Sequence, residues 1–339
     1  YGRSFSSVKG ASAGAVVTVE KSRIHHSYWG IYFESSSNNT GTKGFSNNAV
    51  YGNDDRGFYF WDSNNNTITS NNIYKTLNGR GFEFTSGNRN TITSNITYDN
   101  EYDGFYFSSL SDNTITSNKS YNNDRGLALA SSCFNNTVTS NISFGNWDGF
   151  FISATQNNMI FSNSSYSNKE DGFAIYTSDN ILAFNTSYSN GLYGFSLAYG
   201  NILNSNKSYK NSYGLGFGNS TGNIIINDNY GVDGANSNGD IYFDDSSAGS
   251  QVRCYSCNLA SATETVNVVY SGAYLISFKH DTLATSTKVW GEYSIPDNDT
   301  ETPQNEAINK FNYTDNLWED SIARVNYYGT GSKDTDLNW

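Results

Sequence analysis

The chain has 339 residues, a formal net charge of −12 and only 15% charged residues, with 26 Tyr, 21 Phe and 31 Gly. An acidic balance excludes a phosphate-binding surface of Lys and Arg, and so argues against nucleic acid as a partner. The aromatic content of 16% excludes a disordered chain, because Phe and Tyr bring large apolar surfaces to bury.

No apolar run reaches the ~18 residues of a membrane-spanning helix. Asn, Ser, Thr, Tyr and Phe dominate, which suits short strands joined by tight turns better than helices. The chain begins at Tyr1 rather than Met, read here as a chain trimmed of an export signal.

In chain order, residues 1–20 are small and apolar around Ala11 to Val19 and are expected to cap the first turn of a repeat array. From residue 21 a repeat sets in. Gly followed by apolar-x-apolar recurs at Gly57, Gly81, Gly104, Gly126, Gly149, Gly172 and Gly194, every 22 to 24 residues. An Asn column follows at Asn66, Asn90, Asn113, Asn136 and Asn158, usually as N-T-I-T. A second Asn column runs through Asn71, Asn95, Asn118, Asn141, Asn163, Asn185 and Asn206. Three residues later comes an aromatic column of Tyr74, Tyr98, Tyr121, Phe144, Tyr166, Tyr188 and Tyr209.

About 22 residues with two or three short strands is too short for a propeller blade and lacks a helical period. It suits one coil of a triangular solenoid, with coils stacked at the ~4.8 Å strand spacing. The expected fold is an all-β, right-handed parallel β-helix of about 9–10 coils, a rod roughly 45 Å long by that spacing. Phe58, Phe82 and Phe105 should then lie over one another. The Asn columns should sit at the turns, where Asn tolerates left-handed geometry and its amide can bond to the Asn above and below.

The repeat fades after Phe243, with a last coil through Val252 to Leu259. The expected solenoid therefore covers 21–262. Longer strand-like runs over 263–339 suggest a small β-sandwich-like domain that caps or docks.

The repeated N-T-I-T-S-N and G-F-x-F, over about residues 20 to 250, resemble the parallel β-helix repeat proteins of archaea and bacteria. That group spans surface proteins, polysaccharide lyases and hydrolases, and periplasmic copper-processing proteins. The Asn- and Tyr-rich, Pro-poor version is most similar to large archaeal cell-surface proteins. The resemblance implies the fold and is nearly silent on function.

Several constellations could carry chemistry. The residues before the repeat glycines are Trp29, Arg56, Arg80, Asp103, Arg125, Asp148, Asp171 and Tyr193. Facing outward, they would form a ladder of Arg and Asp that bridges coils. The alternative is a glycan-cleaving groove with Asp148 and Asp171 as acid and base and Glu170 as a further carboxylate. The regular repeat favours the bridging reading. The column Tyr74, Tyr98, Tyr121, Tyr166 and Tyr188 is a candidate binding stripe for sugar rings or neighbouring molecules. Among the many sequons, Asn38, Asn219, Asn298 and Asn312 lie off the second Asn column and are the better glycosylation candidates.

Asp297, Asp299 and Glu301 alternate in a loop between Pro296 and Pro303 and are the candidate ligands of a calcium ion. No other cofactor is indicated. Cys254-x-x-Cys257 is half of a metal or redox motif with no completing pair, so buried thiols or a local bridge are favoured; with Cys133 the count is odd. The expectation is an extracellular structural or adhesive surface protein, a subunit of a surface layer, sheath or filament. Its partners would be like subunits, other surface proteins or glycans. The rival is a lyase or hydrolase of acidic extracellular polysaccharide.

Overall fold

A computed structural model describes residues 6–11, 18–35, 37–38, 44–217, 223–226, 228–231, 233–243, 251–255, 257–259, 267–268, 275–280 and 288–294. For 6–11, 240, 241, 243 and everything beyond 243 it describes the backbone alone. The chain forms two compact units, residues 1–170 and 171–339.

The fold is the expected all-β parallel solenoid, of about nine coils, with no helix among the described residues. In the first unit each coil contributes one long strand from the G-F-x-F segment, such as Arg56–Trp61, and two three-residue strands, such as Thr67–Thr69 and Asn72–Tyr74. Each strand pairs in parallel with its counterpart one coil on. Period-2 alternation sends Phe58 and Phe60 inward and Tyr59 outward.

Like residues therefore stack in files. Ile31, Phe58, Phe82, Phe105, Leu127 and Phe150 are in register and almost wholly buried. The Phe58, Phe82 and Phe105 rings follow one another at 5.6 Å between centroids. A second file runs from Phe33 through Phe60, Phe84, Phe107 and Leu129 to Ile152, and a third from Ile68 through Ile92, Ile115 and Val138 to Ile160. Burying each of these side chains contributes about 1.5–3 kcal/mol, which is why one apolar residue per coil is kept at each position.

The corners are held by amides. In the second Asn column, each backbone N–H and each Nδ2 donates to Oδ1 of the Asn one coil on, from Asn48 through Asn71, Asn95, Asn118 and Asn141 to Asn163, at 2.9–3.1 Å. The same Nδ2 also donates to a backbone carbonyl of the preceding coil, as Asn118 does to Ile92. One side chain thus satisfies groups on three successive coils.

The residues that take left-handed backbone are not these Asn but the ones just before them: Ser70, Ser94, Ser117, Ser140 and Ser162, at φ of 55–57°. That corrects the expectation that ladder Asn itself takes this geometry. The bend falls on a small exposed residue, and the Asn side chain is left free to reach along the axis.

The repeat glycines answer a close approach. A Cβ on Gly126 would stand 2.6 Å from the carbonyl oxygen of Gly149 and 2.8 Å from Asn146 Nδ2. Around them the inner wall of the third strand shrinks to hydroxyls, Thr97, Ser120, Ser143 and Ser165, all buried.

The second unit repeats the scheme with Phe173–Tyr176, Tyr193–Leu197, Tyr213–Phe217 and Gly239–Phe243 as long strands. Its Asn file runs from Asn185 through Asn206 to Asp228. Farther on, Leu275–His280 and Lys288–Ser294 pair antiparallel, a departure from the all-parallel pattern before them.

Candidate functional site

The chemically richest surface of the first unit is the outward face of its long strands. The pleat turns Trp29, Arg56, Arg80 and Arg125 outward, together with the middle residues of the G-F-x-F motif, Tyr32, Tyr59, Glu83, Tyr106, Ala128 and Phe151. Glu83 stands where the coils on either side place Tyr59 and Tyr106. Its flanking rings and the guanidinium groups above it leave it 5% exposed.

Arg56 Nε lies 2.6 Å and Arg80 Nη1 3.0 Å from the same Glu83 Oε2. Thr85 Oγ1 donates to Oε1 at 3.4 Å. Arg56 also pairs with Asp55, and Arg80 Nε with Asp103 at 2.9 Å. Asp55 Oδ2 accepts from Trp29 Nε1 at 2.9 Å. The result is a continuous chain from Trp29 through Asp55, Arg56, Glu83 and Arg80 to Asp103. Guanidinium faces are covered as well: Arg56 lies 4.7 Å from the Tyr59 ring centre, Arg80 3.5 Å from Tyr106 and Arg125 3.7 Å from Phe151.

The electrostatics follow from burial. Desolvation would lower the Arg56 and Arg80 pKa values, but Glu83 together with Asp55 at Arg56 and with Asp103 at Arg80 raises both. Burial pushes the Asp103 carboxyl up, against the pull of Arg80 and Arg125. Burial, then the Glu83 charge, lifts the Tyr59 phenol, and burial with the bond to Glu34 lifts Tyr32 well above its usual range. Glu83 Oε2 lies between both guanidinium groups, and Nε and Nη1 of each arginine are engaged by carboxylates. Chemically this is a cross-linked polar seam walled by aromatic rings.

Of the expected ladder of Arg and Asp the structure shows the bridge from Arg80 to Asp103, while Arg56 and Arg80 converge on Glu83, which the sequence reading did not name. The signal was there: it is the charged residue in a middle column otherwise aromatic or small. A third Asn file was missed too, Asn100 to Asn123 to Asn146 to Asn168, bonded like the others. Its mark is the Asn two residues after the aromatic of the third strand, as after Tyr98, Tyr121, Phe144 and Tyr166.

Of the candidate carboxylates, Asp148 opens the strand Asp148–Ser153 in register with Arg125 and is half-buried. Glu170 is half-buried, with its backbone N–H on the Trp147 carbonyl at 2.9 Å. Asp171 belongs to the second unit, is buried, and accepts from the Tyr193 backbone N–H at 3.1 Å.

The aromatic column stacks ring on ring. Tyr51, Tyr74, Tyr98, Tyr121, Phe144 and Tyr166 follow at 4.8–5.0 Å with interplanar angles of 2–12°. In the second unit Tyr188 stacks on Tyr209 at 5.2 Å. Each ring face within these files covers the next, and the rings are half-buried.

Asn38 is exposed at a left-handed corner; Asn219, Asn298 and Asn312 lie outside the described residues. So do Asp297, Asp299 and Glu301. Among the described residues no three His, Cys, Asp or Glu converge as a metal site, and no helix is long and apolar enough to cross a membrane. Cys133 is a buried free thiol whose pKa burial pushes up to about 11. The side chains of Cys254 and Cys257 lie outside the described residues.

Comparison with known proteins agrees with the fold. The family described as "Right handed beta helix region" matches residues 7–165. No curated protein matches the sequence. Among solved structures, the Azotobacter vinelandii mannuronan C-5 epimerase AlgE4 A-module is similar at 18% identity, with 67% of this chain and 73% of that one covered and a TM-score of 0.48. A double mutant of the periplasmic alginate epimerase AlgG matches at 15% identity over 69% and 70%, also with a TM-score of 0.48. DFA-IIIase from Arthrobacter chlorophenolicus A6 matches at 12% over 68% and 67%, with a TM-score of 0.46. At these identities and TM-scores the likeness assigns no activity.

Proposed function

We propose that this chain is a structural or adhesive protein of an extracellular surface, in which the solenoid serves as a stiff spacer presenting its faces to like subunits or other surface components. The observation that carries the reading is how the outward polar and aromatic groups of the first unit are used. Glu83 and Asp103 are buried against arginines, those arginines lie over rings, and the tyrosine faces cover one another. Groups spent on their own neighbours give rigidity and no vacant catalytic pair.

The rival reading, cleavage of an acidic polysaccharide, draws on the same face, since arginines beside carboxylates and rings are also groups that handle uronic acids. One experiment separates the two. The full chain is incubated with uronic-acid polysaccharides, following new reducing ends and the absorbance of unsaturated products. The same preparation is imaged by electron microscopy. The structural reading expects no turnover, with straight particles, filaments or a lattice. Turnover that is lost in Asp148→Asn, Asp171→Asn or Glu83→Gln while the fold survives would establish the rival.

A further inference from the structure

Near the start of the first unit two adjacent histidines meet. His25 ends the strand Arg23–His25, and His26 follows it at the corner with left-handed backbone, φ 58°. A strand would send neighbouring side chains to opposite faces. The left-handed residue cancels that alternation and brings the two imidazoles to one side. Their Nδ1 atoms lie 2.6 Å apart, with the rings at 88°. Both side chains are exposed.

The arrangement is held from below. The His25 ring stacks on Tyr51 at 4.9 Å, and Tyr51 stacks on Tyr74 at 5.0 Å, so the file of rings ends in an imidazole. Gly52 follows Tyr51 at a left-handed corner, φ 61°, and a methyl group built there would stand in van der Waals contact with the His26 ring, 3.7 Å from Nε2.

We infer that His25 and His26 form a two-nitrogen chelate for a late first-row divalent metal ion of the Cu2+ or Ni2+ kind. Two neutral imidazoles with facing Nδ1 atoms must share one proton, and a metal ion is the other species that satisfies both lone pairs at once. At metal–nitrogen distances of about 2.0–2.1 Å, a separation of 2.6 Å subtends about 80° at the metal. That is near the right angle of a tetragonal site and far from the tetrahedral angle zinc prefers. A small rotation about the broad terminal torsion of either exposed ring brings both lone pairs onto a common point. Solvent completes the coordination, since both rings are exposed.

The test uses the full chain and Cu2+ alone. Wild type, His25→Ala, His26→Ala, the double variant and His280→Ala are titrated with CuCl2 near pH 7.5. Calorimetry gives stoichiometry, and electron paramagnetic resonance counts the equatorial nitrogens. Circular dichroism confirms the fold of each variant, which is expected to be unchanged because both rings are exposed.

The expected result is one Cu2+ in wild type and His280→Ala with two imidazole nitrogens. Binding should be at least tenfold weaker in each single variant, and one equivalent should be lost in the double variant. Uptake by the double variant equal to wild type would overturn the site. So would loss in only one single variant, or a spectrum with a single imidazole nitrogen.

Discussion

At the scale of the residue, two positions break the amide ladders. In the third Asn file the coil after Asn53 carries Thr76, too short to offer an Oδ1 to it. Asn53 Oδ1 accepts from the Ser27 backbone N–H, and the Thr76 backbone N–H donates onward to Asn100 Oδ1 at 3.1 Å, but Asn53 Nδ2 and Thr76 Oγ1 are buried without a partner. A buried donor left unmade costs about 1–3 kcal/mol. Thr76→Asn supplies the missing acceptor to Asn53 and a donor to Asn100. It should stabilise the protein by about 1 kcal/mol in urea unfolding; a loss of stability would mean that the amide does not fit between its neighbours.

Asp228 is the opposite case, a carboxyl in an amide position. It accepts from Asn206 and from Tyr230 at 2.8 Å, yet burial pushes its pKa up to about 7, from an ordinary value of 3.8. The sign follows from linkage. A folded pKa above the unfolded one means the native state holds the proton more tightly. That stabilisation is complete below about pH 4 and is lost as pH rises through about 7. Asp228→Asn should therefore raise the melting temperature at pH 8 and change it little at pH 4. An equal shift at both pH values would show that the carboxyl does not titrate in the native state.

At the scale of the element, the charged seam is the place where the long strands are tied side by side. Exposed ion pairs contribute only tenths of a kcal/mol, but Glu83 is buried, and its removal takes the shared carboxylate from two half-buried guanidinium groups, leaving Arg56 with Asp55 and Arg80 with Asp103. Glu83→Gln should cost about 2 kcal/mol in urea unfolding, below the range for a fully buried pair because Arg56 and Arg80 keep some contact with water. A change below half a kcal/mol would place the seam among ordinary surface charges.

The seam also shows what could be read from the chain alone. Phe58 over Phe82 and the N-T-I-T strands were legible because each coil repeats them, and a period converts directly into vertical files. The residues before the repeat glycines were legible as a ladder for the same reason. Glu83 was not, because it occurs once and its role comes from Arg56 and Arg80, one coil below and in its own coil. The left-handed serines were hidden too: T-S-N reads as a turn, but which of its residues bends is set by the amide that must reach along the axis. The meeting of His25 and His26 depends on the left-handed turn that recurs one residue after the aromatic column, at Gly52, Lys75, Asp99 and Asn122, but the His pair itself occurs once.

At the scale of the whole molecule, the chain carries a net charge of −12, while Arg56 and Arg80 are already engaged by carboxylates. The excess charge is thus negative. Like charges repel in the folded state more than in the expanded chain, so screening them stabilises the fold. Adding salt also weakens ion pairs, but those of the Glu83 seam are partly buried and are screened much less. The two effects have opposite signs, and the geometry decides between them. Raising NaCl from about 10 mM to about 300 mM shortens the screening length from roughly 30 Å to under 10 Å. The melting temperature should rise by a few degrees in wild type. In Glu83→Gln the rise should be at least as large, because less attraction remains to be screened. A melting temperature that falls with salt in wild type, and stops falling in Glu83→Gln, would mean that the ion pairs rather than the stacked files and amide ladders dominate the stability of the solenoid.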